Sequence, residues 1–400
     1  MARRIPLPIR TLYEDLLDRK MQQELFLSEM EGAHQKGTFV SKTVGGRLYW
    51  YFQSYENSRK QQRYIGPDGE RVRKMISRLK DYKESLRDSP TEDLVSVLRR
   101  TPGLPQIFPE EGRIIASLEK AGVFRNGGVL VGTQAFRCYP LVVGVSLSGT
   151  AMRTGDIDLA YDRSLQVFVP EATETIVSRI LDTLSFLPLP TLDEKGRSYS
   201  FKVKGSELTL EILTTMDRNE RNPDQLKSID AIGFYAQPLE YMDYLIAGPI
   251  KSVLLFGKGV LVNVPSPERF AVHKILVSQI RAVPSGAKAE KDLHQAMTLI
   301  ESLADRHPDD LARAIRQMGE RLKEDRPARE KFLSGVEALR KSISDPIVSV
   351  FREEFLKVWR LIRFYVQTAG SMALSFFMIG RSISNTLLPL GSNQLSCSRT

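Results

Sequence analysis

The amino-acid sequence predicts an α+β protein, and three features of its hydrophobic pattern indicate this class. Short apolar runs bounded by glycine, or alternating with polar residues, recur between residues 127 and 264 and are typical of β-strands. Helical spacing of apolar residues dominates from residue 266 onward. Another group of predicted strands precedes residue 70. We therefore expect a sheet flanked by helices, a small β-rich N-terminal unit and a helical C-terminal region.

Length and helix-breaking residues divide the chain into four predicted parts. Four hundred residues exceed one typical domain. Ser89-Pro90 and Thr101-Pro102-Gly103 flank a short predicted helix and predict a boundary there. The parts are a basic N-terminal unit, an α/β core, a helical domain, and a C-terminal helix with a tail. Their predicted bounds are residues 1–104, 105–265, 266–345 and 346–400.

The chain is basic, and the excess of positive charge is uneven. The formal net charge is +9 and the pI is near 9.4. Residues 1–100 hold 20 lysines and arginines against 14 acidic residues, so most of the excess lies in the first quarter. Such a balance favours acidic partners, namely nucleotides or nucleic acid.

Other features argue against disulfide-rich, zinc-binding, secreted and membrane proteins. Only Cys138 and Cys397 are present, and the four histidines show no zinc-ligand spacing. Residues 1–20 lack the apolar stretch of a signal peptide, and the longest apolar run, 372–380, is about half a membrane span. We therefore expect a cytoplasmic protein without a membrane partner.

The predicted β-rich unit interleaves aromatic and basic residues. Its strands are predicted at 37–43, 47–53 and 62–66, with a Gly45-Gly46 turn between the first two. Aromatic rings stack on bases and cations neutralise phosphates, so the pattern fits a surface for RNA or another nucleic acid. It also fits the packed interior of a small sheet, which is the simpler explanation for any single aromatic residue. The aromatic and basic residues concerned are Tyr49, Trp50, Tyr51, Phe52, Tyr55, Tyr64, Arg47, Arg59, Lys60 and Arg63.

The most informative stretch is Asp156-Ile157-Asp158-Leu159. On a β-strand, Asp156 and Asp158 project from one face, about 6.6–6.8 Å apart at Cα, and the two apolar residues face the other way. Paired carboxylates repel each other unless a cation lies between them, and Mg²⁺ binds one or two carboxylates plus substrate phosphates. An Asp-x-Asp pair also occurs by chance in solvated loops. The flanking hydrophobic residues favour the metal site.

A third carboxylate and a glycine bend are predicted near this pair. Glu211 alternates with Leu210 and Ile212 on a later strand, so a sheet can place it beside the aspartates; a solvent-facing glutamate fits equally well. Gly132-Thr133 follows a buried strand and precedes a helix, an arrangement in which glycine, a hydroxyl and free N–H groups can receive a phosphate. Arg153, just before the aspartates, could meet a triphosphate or pair with Asp156.

Two cations share one face of a later helix. Ser266-Pro267 is a strong helix start, and Lys274 and Arg281 lie seven residues apart, which is nearly two helical turns. They can bind a phosphate, or they can form an ordinary basic surface in which the aliphatic parts of the two side chains pack on apolar neighbours.

Together, Gly132-Thr133, Asp156, Asp158 and the later helices resemble the nucleotidyltransferase superfamily of DNA polymerase beta. More narrowly, the chain is similar to bacterial stand-alone nucleotidyltransferases and to the nucleotidyltransferase toxins of abortive-infection systems. The likeness covers about residues 110–305 and implies that superfamily's mixed sheet flanked by helices. Thr133 stands where those proteins usually have Ser or Gly, and Glu211 where polymerase-like relatives usually have Asp.

The resemblance implies a set of roles. Asp156, Asp158 and Glu211 would be the catalytic residues: the two aspartates would bind one or two Mg²⁺ ions, and Glu211 would either ligate one of these metal ions or activate the attacking hydroxyl. The triphosphate would be held by Gly132, Thr133, Arg153, Lys274 and Arg281. Asp292 would orient Lys274 or Arg281. The expected reaction transfers a nucleoside monophosphate from a nucleoside triphosphate to a hydroxyl of RNA or protein and releases pyrophosphate.

Two other functions fit the sequence. The chain could be a non-catalytic nucleic-acid-binding protein with a degenerate transferase fold, using its basic N-terminal unit. It could also be a toxin or antitoxin component that acts with a protein partner.

Overall fold

A computed structural model describes most of the chain up to residue 357. The described residues are 3–29, 37–56, 59–88, 91–147, 155–162, 186–191, 196–216, 225–229, 233–280, 286–340, 347–351, 353–355 and 357.

The N-terminal part combines helices with a small antiparallel sheet. The sheet has the order β1-β2-β3, and the Gly45-Gly46 turn joins its first two strands. Strand alternation puts Phe39 and Phe52 on one face, where their rings are 5.3 Å apart. The elements are α1 (Leu7–Glu29), β1 (Gly37–Val44), β2 (Arg47–Glu56), β3 (Arg59–Pro67), α2 (Glu70–Asp88) and α3 (Thr91–Arg99).

The central part is built around a mixed sheet. The elements are α4 (Pro109–Ala121), β4 (Val129–Leu130), α5 (Gly132–Phe136), α6 (Tyr139–Val143), β5 (Asp156–Tyr161), β6 (Phe186–Pro188), β7 (Ser200–Val203), β8 (Thr209–Thr215), β9 (Lys227–Ile229), β10 (Phe234–Leu239) and α7 (Met242–Ile246).

A hairpin and four helices follow. They are β11 (Ile250–Leu254), β12 (Val260–Val264), α8 (Pro267–Ile280), α9 (Gly286–Arg306), α10 (Pro308–Arg321) and α11 (Arg326–Leu339). The backbone N–H of Phe270 donates to the Ser266 carbonyl, as expected where Ser266-Pro267 begins a helix.

The main sheet has seven strands in the described part of the chain. Its central path is β4-β5-β8-β10-β9, with β7 also on β8 and β6 on β7. The β5–β8 and β8–β10 pairs are parallel, whereas β4, β7 and β9 run antiparallel to their neighbours. The parallel centre therefore sets the carboxylate-bearing strands β5 and β8 side by side.

Two hydrophobic clusters hold these elements together. The larger one joins the inner face of the main sheet to α4 and to α8–α11, and includes Ile157, Leu210, Phe270 and Met318. The smaller one packs α1 and α3 against the β11–β12 hairpin, where the Tyr13 and Ser252 hydroxyls lie 2.8 Å apart. The helices that follow the sheet thus share its core, because their apolar faces are buried against it.

The predicted α+β class is confirmed: a mixed sheet flanked by helices, a small N-terminal β unit and a helical C-terminal region. One strand differs from its prediction. The apolar run 127–131 forms only two residues of strand, since Gly127 before it and Gly132 after it adopt left-handed backbone conformations. Among the described residues, none of the helices has the length and apolar character needed to span a membrane.

Candidate functional site

The two aspartates lie on the polar face of β5. Asp156 and Asp158 are half-buried, whereas Ile157 and Leu159 between and after them are at most 1% exposed. Alternation along the strand accounts for this division. In the parallel pair with β8, Asp158 lies opposite Glu211 and Asp156 lies opposite Thr209. The fold therefore brings the predicted third carboxylate to the strand position next to Asp158.

Hydrogen bonds hold the ends of these strands in place. The Thr209 hydroxyl donates to Asp156 Oδ1 at 2.9 Å, which fixes one carboxylate oxygen. The backbone N–H of Val131 donates to the Asp158 carbonyl at 3.0 Å and ties the end of β4 to β5. Glu211 also acts on Tyr199. Burial raises the pKa of the Tyr199 hydroxyl, and the negative charge of the Glu211 carboxylate raises it further.

The glycine bend contacts Asp158 directly. Gly132 has a φ of +63°, a conformation that favours glycine, and a Cβ added there would lie 2.2 Å from Asp158 Oδ2. Any other residue would displace that carboxylate. Thr133, which follows, is only 8% exposed, and its helix α5 is five residues long. The close approach of backbone to carboxylate is thus the main contribution of this bend.

Two of the predicted helical residues form a buried ion pair. Lys274 Nζ on α8 binds Asp292 Oδ1 on α9, and the side chains are 11% and 4% exposed. The ammonium also lies 5.3 Å from the centre of the Phe270 ring, within cation–π distance. The pairing satisfies two charges that would be costly to bury singly.

Comparison with known families agrees with this geometry. The sequence model of a family described as Nucleotidyltransferase matches residues 110–319, more than half of the 400 residues. The chain belongs to this nucleotidyltransferase family. A second family, described as Domain of unknown function (DUF6788), matches residues 10–74. No curated protein matches the chain. No solved structure matches it.

Lys291 is a residue of this nucleotidyltransferase that the sequence did not assign to the site. Its pKa is lowered, first by burial and then by the charge of Lys274; Asp292 and Asp158 act in the opposite direction. The charges of the helical ion pair and of Asp158 on β5 therefore act on the Lys291 ammonium. Its position directly before Asp292 was the one feature of the sequence that pointed to a role in the site. Helix spacing, however, does not show which residue of the sheet a helical side chain approaches.

A second buried ion pair supports the segment after the glycine bend. Arg137 Nη1 donates to Glu111 Oε2 on α4 and to Gln134 Oε1, the latter at 3.1 Å, and all three residues are at most 2% exposed. Arg137 is also among the charges that lower the Lys291 pKa. Two buried cations, each paired with a carboxylate, thus act on Lys291.

Two predicted site residues lie outside the described residues: Arg153 and Arg281. Residues 166–169, whose short apolar run predicts a strand, also lie outside the described residues. So do nearly all of residues 171–186, whose pattern predicts an amphipathic helix.

Asp156 and Asp158 have the ligand chemistry that Mg²⁺ requires. Among the residues that the structure describes, no group of three or more His, Cys, Asp or Glu side chains is arranged to hold a metal ion by itself. Magnesium, however, usually binds one or two carboxylates and completes its shell with water and substrate phosphates. Asp156 and Asp158 supply two such hard oxygen donors from one strand face. They therefore fit a magnesium ion that is shared with a bound triphosphate.

Proposed function

We propose that this nucleotidyltransferase moves a nucleoside monophosphate from a nucleoside triphosphate to a hydroxyl of RNA or protein and releases pyrophosphate. The observation that carries the proposal is the parallel β5–β8 register, which sets Glu211 opposite Asp158 beside the Gly132 bend. Carboxylates on a polar sheet face, one of which acts electrostatically on the half-buried Lys291, suit a substrate that combines phosphates with divalent cations.

Asp156 and Asp158 would hold the magnesium. When bound, one or two magnesium ions would neutralise charge on the triphosphate and stabilise the attacking and leaving oxygens. The Thr209 hydroxyl keeps the Asp156 carboxylate in one orientation for this purpose. A fixed ligand costs less reorganisation when the substrate arrives.

The remaining groups position the substrate and move a proton. Gly132 lets the phosphates approach the backbone next to Asp158, and the Thr133 hydroxyl donates to them. Lys274 and Lys291 oppose the charge that develops on the leaving pyrophosphate. The acceptor oxygen attacks the α-phosphorus, the bond to the bridging oxygen of the β-phosphate breaks, and the hydroxyl proton passes to the Glu211 carboxylate.

The test is transfer of label from the α-phosphate. Purified protein is incubated with Mg²⁺, total RNA or cell lysate, and each of the four triphosphates labelled at the α or the γ position. We expect α-label on a macromolecule, together with free pyrophosphate. Transfer of γ-label would instead identify a phosphotransferase and refute the proposal.

Isosteric substitutions localise the reaction. Asp158→Asn and Glu211→Gln keep size but remove a charge, and each should lower the rate at least about 10²-fold. Glu207→Gln is the matched control, because this side chain lies on the same hairpin, is 94% exposed and pairs with Lys202. Undiminished transfer by Asp158→Asn would show that the chemistry lies elsewhere.

A further inference from the structure

The three-stranded sheet β1–β3 has two unlike faces. Phe52, on the face that carries Phe39, is 5% exposed, whereas Tyr64 on the other face is 54% exposed. Strand register puts Tyr49 and Tyr51 on the Tyr64 side as well. We name this side the tyrosine face. It comprises Thr38, Val40, Lys42, Val44, Arg47, Tyr49, Tyr51, Gln53, Lys60, Gln62 and Tyr64.

The rings of the tyrosine face form one cluster. The Tyr51 and Tyr64 centroids are 5.5 Å apart at 65°, and those of Tyr49 and Tyr64 are 6.2 Å apart at 46°. Lys42 Nζ lies 4.9 Å from the Tyr51 centroid and donates to Gln62 Oε1 at 2.6 Å. Tyr64 is exposed and Tyr49 and Tyr51 are half-buried, and none of the three belongs to the two hydrophobic clusters of the described residues.

The sheet β1–β3 carries mainly positive charge. Residues 37–67 contain five basic residues and one acidic residue. Lys42, Arg47 and Lys60 lie on the tyrosine face, and no acidic residue is among the members of that face. An aromatic cluster that is accessible at Tyr64 and bordered by cations is complementary to a polyanion that carries planar rings.

We propose that the tyrosine face binds single-stranded nucleic acid, with unpaired bases stacked on the tyrosines and phosphates near Lys42, Arg47 and Lys60. In a duplex the bases are stacked on each other and cannot lie on the rings, so single strands are the occupant that the cluster favours over duplex. The surface lies outside the carboxylate site and its binding does not rest on the proposed transfer reaction.

The experiment uses the full chain in EDTA, without triphosphate, and fluorescence anisotropy of labelled strands of about 12 nucleotides. The probes are oligo(U), oligo(dT) and a duplex of the same length, measured between about 50 and 200 mM salt. We expect binding of a single strand that weakens steeply with salt and exceeds binding of the duplex. The ratio of oligo(U) to oligo(dT) affinity tells whether the surface selects RNA or DNA, and either result supports it.

Substitutions assign this binding to the face. Tyr64→Ala should weaken it about 5- to 100-fold, while Tyr64→Phe, which keeps the ring, should bind as the unaltered chain does. Lys42→Gln and Arg47→Gln should each lower the salt slope by about 1. Arg71→Gln is the matched control, because Arg71 is equally exposed but lies on α2.

The proposal would be overturned by no binding by the unaltered chain, by equal binding of duplex, by unchanged binding by Tyr64→Ala, or by Arg71→Gln lowering the salt slope as much as Lys42→Gln does. Polyglutamate that competes as well as oligo(U) would also overturn it, since it would show an acidic polypeptide site. The measurements repeated with Asp158→Asn should be unchanged, so failure of the transfer reaction and failure of this surface are separate outcomes.

Discussion

The seven-stranded and three-stranded sheets place polar residues by the same alternation but in opposite surroundings. In the large sheet, Asp156 and Asp158 are half-buried, and Lys291 on α9 is influenced both by Asp158 and by the buried Lys274–Asp292 pair. In the small sheet, Tyr64 and Lys42 are exposed. Low local dielectric strengthens charge interactions at the first site, whereas the second depends on exposed rings and on charges screened by salt. The difference is consistent with the catalysis proposed for the large sheet and with the reversible nucleic-acid binding proposed for the small one.

The largest expected effect comes from breaking the buried pair near the large sheet. Lys274→Met leaves Asp292 charged and 4% exposed, so we expect about 3–5 kcal/mol lower free energy of unfolding. Lys274→Met combined with Asp292→Leu should recover most of this stability but no activity, because the phosphate-binding cation stays absent. Denaturant unfolding and label transfer measure the two effects. As a control, Lys258→Met removes an exposed pair with Glu92 and should cost at most about 1 kcal/mol. Full activity of the double variant would assign Lys274 a purely structural role.

Next in size is the effect of a methyl group at the glycine bend. Gly132→Ala must push aside Asp158 Oδ2, and a misplacement of this order lowers catalysis about 10²-fold. Gly45→Ala in the small sheet is the matched control: its φ is +58°, but nothing lies within 4 Å of the added Cβ. Both variants carry the left-handed backbone strain of about 1–2 kcal/mol. Equal activity loss in the two would attribute the effect to strain instead of the contact.

A smaller effect is expected from the titration of Lys291. Its pKa is lowered by burial and then by Lys274, so it loses its charge at lower pH than an ordinary lysine, whose pKa is 10.5. Triphosphate affinity without Mg²⁺ should therefore fall by about 10-fold as pH rises, through loss of a charge-assisted hydrogen bond of about 1.5 kcal/mol. Lys291→Arg should remove this fall, whereas Lys288→Arg, exposed on the same helix, should leave it. A pH profile identical in all three proteins would place Lys291 away from the phosphates.

The smallest effect concerns the turn that ends the small sheet. Arg73 and then Trp50, both hydrogen-bonded to its carboxylate, lower the pKa of Asp68 from 3.8 to about 2. Because the folded-state pKa is below the unfolded value, the stabilisation is complete above pH 3.8 and is lost as pH falls through about 2. Trp50 fluorescence should report this titration in a Trp359→Phe background, and Asp68→Asn should abolish it. A midpoint near 3.8 would show that the Arg73 contact is absent in solution.

The sequence by itself determined the local features of both sheets. The order Asp156-Ile157-Asp158-Leu159 predicts which side chains share a face, because strand alternation is a property of the backbone. The turn at Gly45-Gly46 and the helix start at Ser266-Pro267 follow from similarly local geometry. The α+β class follows because such patterns, taken together, can bury their apolar faces in few ways.

Only the tertiary structure decided which distant residues meet. Local pattern left Glu211 as either a solvent-facing residue or a neighbour of Asp158; the parallel β5–β8 pairing decides this. The proximity of Lys291 to Asp158, and the face on which Tyr64 stays exposed, were likewise undetermined. Such contacts depend on how separate elements pack, which is a balance of burial over the whole core, and hydrophobic periodicity within one segment carries no information about its partner.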